Sequence, residues 1–289
     1  MLSSFAAPVF VFLWSTGFIV ARAITLYVDP NLYLLARFTG TTLLLGAIAL
    51  IARAPWPKPS QAARHLFAGA LLQGVYLGAG YWAVAQGMAA GIMALLGALQ
   101  PLLTAAIAAR LFGERLSARA WSGLVLGLAG VALVLAPKIA ASGTLHGSAP
   151  PWLVVSVALL AVVAITAGTL YQKSSLAGAD IRSAATLQNA GAALVAMMLA
   201  FSLGEHRFVS SPTTWLALAW GIVMLSGVAA TLLVWMVRRG DASRATALMF
   251  LAPPLAALEG YLAFGERLGP IQLAGFALAL AGVLLARSR

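Results

Sequence analysis

Long apolar runs alternate with short polar interruptions along the whole chain, and ten of the runs approach the twenty or so residues that a helix needs to cross a bilayer. They cover 5–21, 31–51, 66–86, 91–111, 118–136, 152–172, 184–203, 214–237, 245–264 and 271–286. The interruptions hold turn residues or charges: Asp29-Pro30, 54–59, Gly178-Ala179-Asp180 and Arg238-Arg239-Gly240-Asp241. The longest is rich in Ser, Gly, Ala and Pro and predicts a linker at 138–151, between a first unit at 1–137 and a second at 152–289. Residues 1–21 lack a basic start and run into a full span, so they read as the first helix and not as a cleaved leader. The fold class expected is all-α and integral to the membrane, with ten transmembrane helices.

Composition agrees. Hydrophobic residues make up 62% and charged residues 9% of the chain, with a mean hydropathy of +0.96. A soluble domain needs more charge than this to cover its surface. The basic balance of +11 does not point to nucleic acid, because the cations are scattered between apolar runs and form no patch. Their distribution instead orients the bundle. With the N-terminus cytoplasmic, inner segments hold thirteen Lys and Arg and outer loops hold four, Arg22, Lys138, Arg207 and Arg267. Both termini are therefore expected on the cytoplasmic side of a bacterial-type inner membrane.

The two units repeat one another. Phe112-Gly113-Glu114-Arg115-Leu116 recurs as Phe264-Gly265-Glu266-Arg267-Leu268, an offset of 152. At that offset Pro101 falls on Pro253, Gly123 on Gly275, Gly130-Val131 on Gly282-Val283, and Trp14 on Thr166. Five helices is an odd number, so the second unit is inverted relative to the first. Inverted repeats mark secondary transporters, which rock one half against the other.

These residues carry a family resemblance. Gln100-Pro101-Leu102-Leu103, the Phe112–Leu116 motif and Gly130-Val131, matched again from Pro253 to Val283, resemble the EamA repeat of the drug/metabolite transporter superfamily. The segment Phe12-Leu13-Trp14-Ser15-Thr16-Gly17-Phe18, with Asp29-Pro30 and Arg37-Phe38, is similar to the opening of that family. In length and style the chain resembles the YddG-type amino-acid exporters. The resemblance implies ten helices, a central cavity near the midplane, and export of small organic metabolites by alternating access.

No Ser/His/Asp set, HExxH motif or phosphate-cradling loop is present, and the chain has no Cys and three His, so neither an enzyme nor a metal or other cofactor is expected. The expected partners are a small-molecule solute and the bilayer, with no nucleic acid, and the chain is taken as a monomer. Drug-like or sugar metabolites remain alternative cargo, and a non-transporting scaffold or receptor is the alternative of another class.

Candidate substrate-binding residues follow from helix faces. Met93, Gly97, Gln100 and Thr104 share a face of the fourth span, where Pro101 interrupts the hydrogen-bond ladder; Pro253 is its mate. Trp14 and Phe18 share a face of the first span, Tyr76 and Gly80 of the third, Thr166 and Thr169 of the sixth, and Gly227, Thr231 and Trp235 of the eighth. Met249 falls opposite Gly97, and Trp82 lies near a helix end. The bland alternative for the aromatic residues, Tyr81 among them, is the interfacial belt. Gln100 is the sharpest clue, because an amide in hydrocarbon needs a partner. Arg37 and Glu259 are the two intramembrane charges and, with the helix-breaking Pro101 and Pro253, stand as gating or coupling candidates; at similar depth the two charges could also form a structural ion pair. Glu114 and Glu266 are expected to cap the helices that follow them.

Overall fold

The computed structural model describes residues 2–112, 117–140, 149–175, 179–229, 232 and 251–287. They form ten helices: α1 (Leu2–Ile24), α2 (Pro30–Ile51), α3 (59–85), α4 (90–112), α5 (Ala118–Ala140), α6 (Pro151–Ser175), α7 (Ile181–Ser202), α8 (212–229), α9 (Ala252–Phe264) and α10 (Pro270–Arg287). Each falls on one of the ten apolar runs. Pro at the first turn of α2, α3, α8 and α9 starts a helix where the missing N–H is harmless. Among the described residues, two spans contain π turns. The third passes through a π turn at Ala70–Val75, and the eighth through another at Trp220–Ala229. In the fourth, the α-helix ends at Ala98 and restarts at Gln100, so the ladder breaks beside Pro101 as its missing N–H requires.

The inversion is visible in the packing. Contacts come in mates, with each helix of the first unit exchanging roles with the helix five places later: α2 meets α8 as α7 meets α3, α1 meets α9 as α6 meets α4, and α5 meets α10. The last pair packs through small residues. A Cβ on Gly130 would strike the backbone of Gly275 and Ala279, and one on Gly282 would strike that of Gly123 and Gly127. Such seams bring helix backbones together in lipid, where van der Waals fit replaces the hydrophobic effect between helices.

Over the first two helices of each unit the repeat offset is 151, one less than in the last two. The turn closing α2 uses Ala52 N–H to Ile48, Arg53 N–H to Leu50 and Ala54 N–H to Ala49. The turn closing α7 uses Leu203 to Leu199, Gly204 to Phe201 and Glu205 to Ala200. Arg53 and Gly204 occupy the same left-handed position, at φ 49° and 66°, where glycine is at ease and arginine is strained. In this register Trp14 falls on Ile165, which corrects the pairing with Thr166 read at the constant offset.

Loops lock the two faces of the bundle in a matching way. On one face Glu205 accepts from the backbone N–H of Asn31 and Leu32 (2.8 and 3.0 Å) and from the Asn31 amide (2.7 Å), capping α2. Asp29 accepts there from the N–H of His206 and Arg207. On the other face Ser183, at the start of α7, donates to the Pro55 carbonyl. Burial raises the Glu205 carboxyl above the ordinary carboxylate range, although its hydrogen bonds pull the other way. Glu266 also reaches a helix other than the one that follows it. Its carboxylate accepts from Ala90 N–H (3.1 Å), at the start of α4, and pairs with Arg22 at 3.5 Å, because the left-handed Gly265 turns the chain back over α9. Gln272 meets the Gly269 N–H before α10. Glu114 lies outside the described residues.

Candidate functional site

A cavity of about 70 Å³ opens where α1, α3, α4, α6 and α9 converge. Trp14 and Phe18 contribute from α1, Tyr76 from α3, Gln100 and Pro101 from α4, and Pro253 from α9. The remaining wall is small or aliphatic: Ala94, Gly97, Ala98, Ile165 and Ala252. Three pairs across it are repeat mates: Trp14 with Ile165, Gln100 with Ala252 and Pro101 with Pro253. The cavity thus lies on the pseudo-symmetry axis of the inverted repeat, where secondary transporters place their sites.

Small residues make the room. A Cβ on Gly97 would stand 2.7 Å from Tyr76 Oη, and one on Gly80 would stand 2.8 Å from Phe18 Cε1. Gly80 thus seats Phe18 without lining the cavity. Phe18 meets Tyr76 edge-on at 6.1 Å between ring centroids. The side-chain amide at the wall is that of Gln100, which donates to Thr104 Oγ1 and Thr169 Oγ1, both at 3.0 Å. The Thr169 hydroxyl in turn donates to the Ile165 carbonyl at 2.8 Å. The amide is thereby held in place by two helices.

Other candidates stand elsewhere. Met93 is fully buried in the main core, and Trp82 packs against that core half-buried. Thr166 is buried and donates to the Val162 carbonyl at 2.7 Å, so its hydroxyl is used within its own helix. Trp235, Met249 and Thr231 lie outside the described residues. Tyr81 is not a belt residue: it is 1% exposed, stacks on Tyr33 at 5.9 Å, and donates to the Gly17 carbonyl at 2.8 Å.

The two intramembrane charges do not pair. Glu259 faces α1, where Ser15 Oγ reaches its Oε1 at 2.7 Å, and its Oε2 is buried without a hydrogen-bond partner. Arg37 faces α3 and α8, with Nη1 donating to Tyr81 Oη at 3.2 Å. Ser15 was not legible as a partner for Glu259. Its one signal was a hydroxyl beside Trp14 in an apolar run.

Comparison with known proteins agrees with this architecture. A WAT1-related chloroplastic protein of Arabidopsis thaliana is 27% identical over 287 residues, covering 95% of this chain; the chain spans 66% of that relative's length, just under two thirds. The uncharacterized inner membrane transporter YedA of Escherichia coli K12 is 25% identical over 276 residues, covering 94% of this chain and 86% of that protein. A solved crystal structure, 25% identical, superposes with a TM-score of 0.66 over 98% of this chain and 95% of the other. A family model matches the chain twice, at residues 1–136 and 152–288, once for each five-helix unit. The chain belongs to the EamA-like transporter family, within the drug/metabolite transporter superfamily.

Proposed function

We propose that this transporter exports amino acids or similar small amphipathic metabolites by alternating access around the cavity between Gln100 and Trp14. The observation that carries the reading is the placing of one oriented amide in an otherwise apolar and aromatic pocket on the repeat axis. Such a pocket suits a solute with a hydrophobic body and a few hydrogen-bonding groups. A volume of about 70 Å³ holds several waters but is small for a whole amino acid, so loading requires the two units to part. The breaks at Pro101 and the two π turns supply points at which the spans can flex.

The units at 1–137 and 152–289 are the bodies that rock. The cation bias puts both termini in the cytoplasm, and the inner-membrane relative from Escherichia coli supports a cytoplasmic-membrane location. Glu259 is the coupling group: a carboxylate with one bare buried oxygen, able to exchange a proton as α1 and α9 shift. The experiment is flux into liposomes of a panel of radiolabelled amino acids, with and without a proton gradient. Saturable flux of a subset, accelerated by the gradient in the wild type and indifferent to it in Glu259→Gln, is expected. Absence of flux for every amino acid removes this cargo, and full gradient dependence in Glu259→Gln removes the coupling role.

A further inference from the structure

Arg37 is a buried cation that pairs with no acid among the described residues. It sits about 10 Å into α2 at 1.5 Å per residue and is 6% exposed. Its Nη1 is engaged by Tyr81 Oη, whose own hydrogen goes to the Gly17 carbonyl. Its Cζ lies 5.9 Å from the Phe38 ring centroid, and its Nε is buried with no partner. Ion pairs among the described residues include Arg22–Glu266, Arg182–Asp180 and Arg207–Asp29. None includes Arg37.

Burying an uncompensated guanidinium is costly, and the repeat shows that packing does not require it. At the offset of 151, the place of Arg37 is taken by Gln188. Where α3 crosses α7, Gly69 packs on the backbone of Gln188; where α8 crosses α2, a Cβ on Gly221 would meet Arg37 Cδ at 2.9 Å and Nε at 3.2 Å. Both crossings close at a glycine at the edge of a π turn or within it. The first crossing closes on the backbone of a residue whose side chain is a neutral amide, so a cation is not needed at this place in the repeat.

The cation lies one aromatic layer from the cavity. Phe18 lines the cavity and its ring stands 6.1 Å from that of Tyr81, whose hydroxyl holds Arg37. With Nη1 given to Tyr81 and Nε unpartnered, the edge formed by Nε and Nη2 is the fork that can bind a carboxylate through two parallel N–H bonds. Aromatic walls ending in such a fork match a carboxylate carried on an apolar body.

We propose that Arg37 docks the carboxylate of the transported solute, reached from the cavity when the Phe18 ring turns aside. This rests on the amino-acid reading and narrows it: the cargo must carry a free carboxylate, and amides or decarboxylated amines of the same shape are poor ligands. The test uses Arg37→Gln, which installs the residue that the other unit already accommodates at this joint. Unfolding midpoints of the purified full-length wild type and variant are measured with a panel of amino acids, their amides and the corresponding amines. The carboxylates are expected to raise the wild-type midpoint by several degrees and leave Arg37→Gln unmoved, with amides and amines inert on both. In flux assays the variant is expected to show a KM for the carboxylate solute raised roughly thirtyfold or more, as for loss of one partner of a buried charge pair. Equal effects of acid and amide on the wild type, no effect of any carboxylate, or full carboxylate stabilisation of Arg37→Gln overturns the assignment. Carboxylate stabilisation that depends on Arg37, without amino-acid flux, overturns amino-acid export alone.

Discussion

Replacing Gln100 by Leu separates recognition from stapling at the cavity wall. The amide makes two hydrogen bonds of 3.0 Å, to Thr104 and Thr169. The bond to Thr169 crosses between helices and is of a kind that contributes about 0.6 kcal/mol in membrane proteins, the bond to Thr104 lies within α4, and Thr169 keeps its bond to the Ile165 carbonyl in the variant. The stability cost of Gln100→Leu is therefore about 1 kcal/mol, a shift of a few degrees in the unfolding midpoint. The cost to a bound solute is larger. A polar group desolvated in the cavity and left without its amide partner loses about 1–3 kcal/mol, which raises KM by about 5- to 150-fold at 1.4 kcal/mol per decade. Initial rates of uptake into liposomes across a concentration series read KM, and thermal unfolding of the same preparation reads stability. A KM within twofold of wild type, accompanied by the small loss of stability, would show that Gln100 only ties α4 to α6, and the recognition argument would be wrong.

Further predictions concern the frame that holds the site. Gly40 and Gly191 are repeat mates, yet alanine should act differently at each. At Gly191 the new Cβ meets the backbone carbonyl of Leu66, whereas at Gly40 it meets the Ile222 side-chain tip at 2.5 Å. Gly191→Ala should cost about 1–3 kcal/mol by overpacking, while Gly40→Ala should be close to neutral once the gain in helix propensity is included; equal costs in an unfolding assay would refute the contrast. Glu205 gives a pH signature. A carboxyl whose folded-state pKa is raised contributes stability that is present below its unfolded pKa and is lost as pH rises through the folded one. The unfolding midpoint should therefore rise on acidification from pH 7 towards pH 5, relative to Glu205→Gln; the same pH profile in both proteins would show that burial of this carboxyl does not perturb it in the folded state.

The ten spans were legible because each is a run of about twenty apolar residues bounded by charge, Pro or Gly, and lipid admits few alternatives to a helix for such a run. The fourth, fifth, ninth and tenth helices announced the repeat through Phe112–Leu116 and Phe264–Leu268. The earlier helices concealed it, because the offset falls from 152 to 151 and a slip of one residue turns a helix face by 100°. Hence Trp14 was matched to Thr166 when its mate across the cavity is Ile165. The π turns were not legible, since Ala70–Val75 and Trp220–Ala229 carry no residue type that demands one. Of the cavity wall, Trp14, Phe18, Tyr76, Gln100 and both prolines were named from helix faces, and small residues such as Ala98 were passed over because alanine looks the same at a wall and in a core. Depth could be read for Arg37 and Glu259, but azimuth could not: one faces Tyr81 and the other Ser15.

The account turns on a single cavity that opens in turn to each side of the membrane. The chain has no cysteine, so Ala98→Cys, at the cavity wall, places one unique thiol there with little change in volume. In vesicles of known orientation, a membrane-impermeant maleimide applied from either side is predicted to modify that thiol, with a transported solute slowing the reaction from both. Modification from one side alone, whether or not solute is present, would contradict alternating access through this cavity.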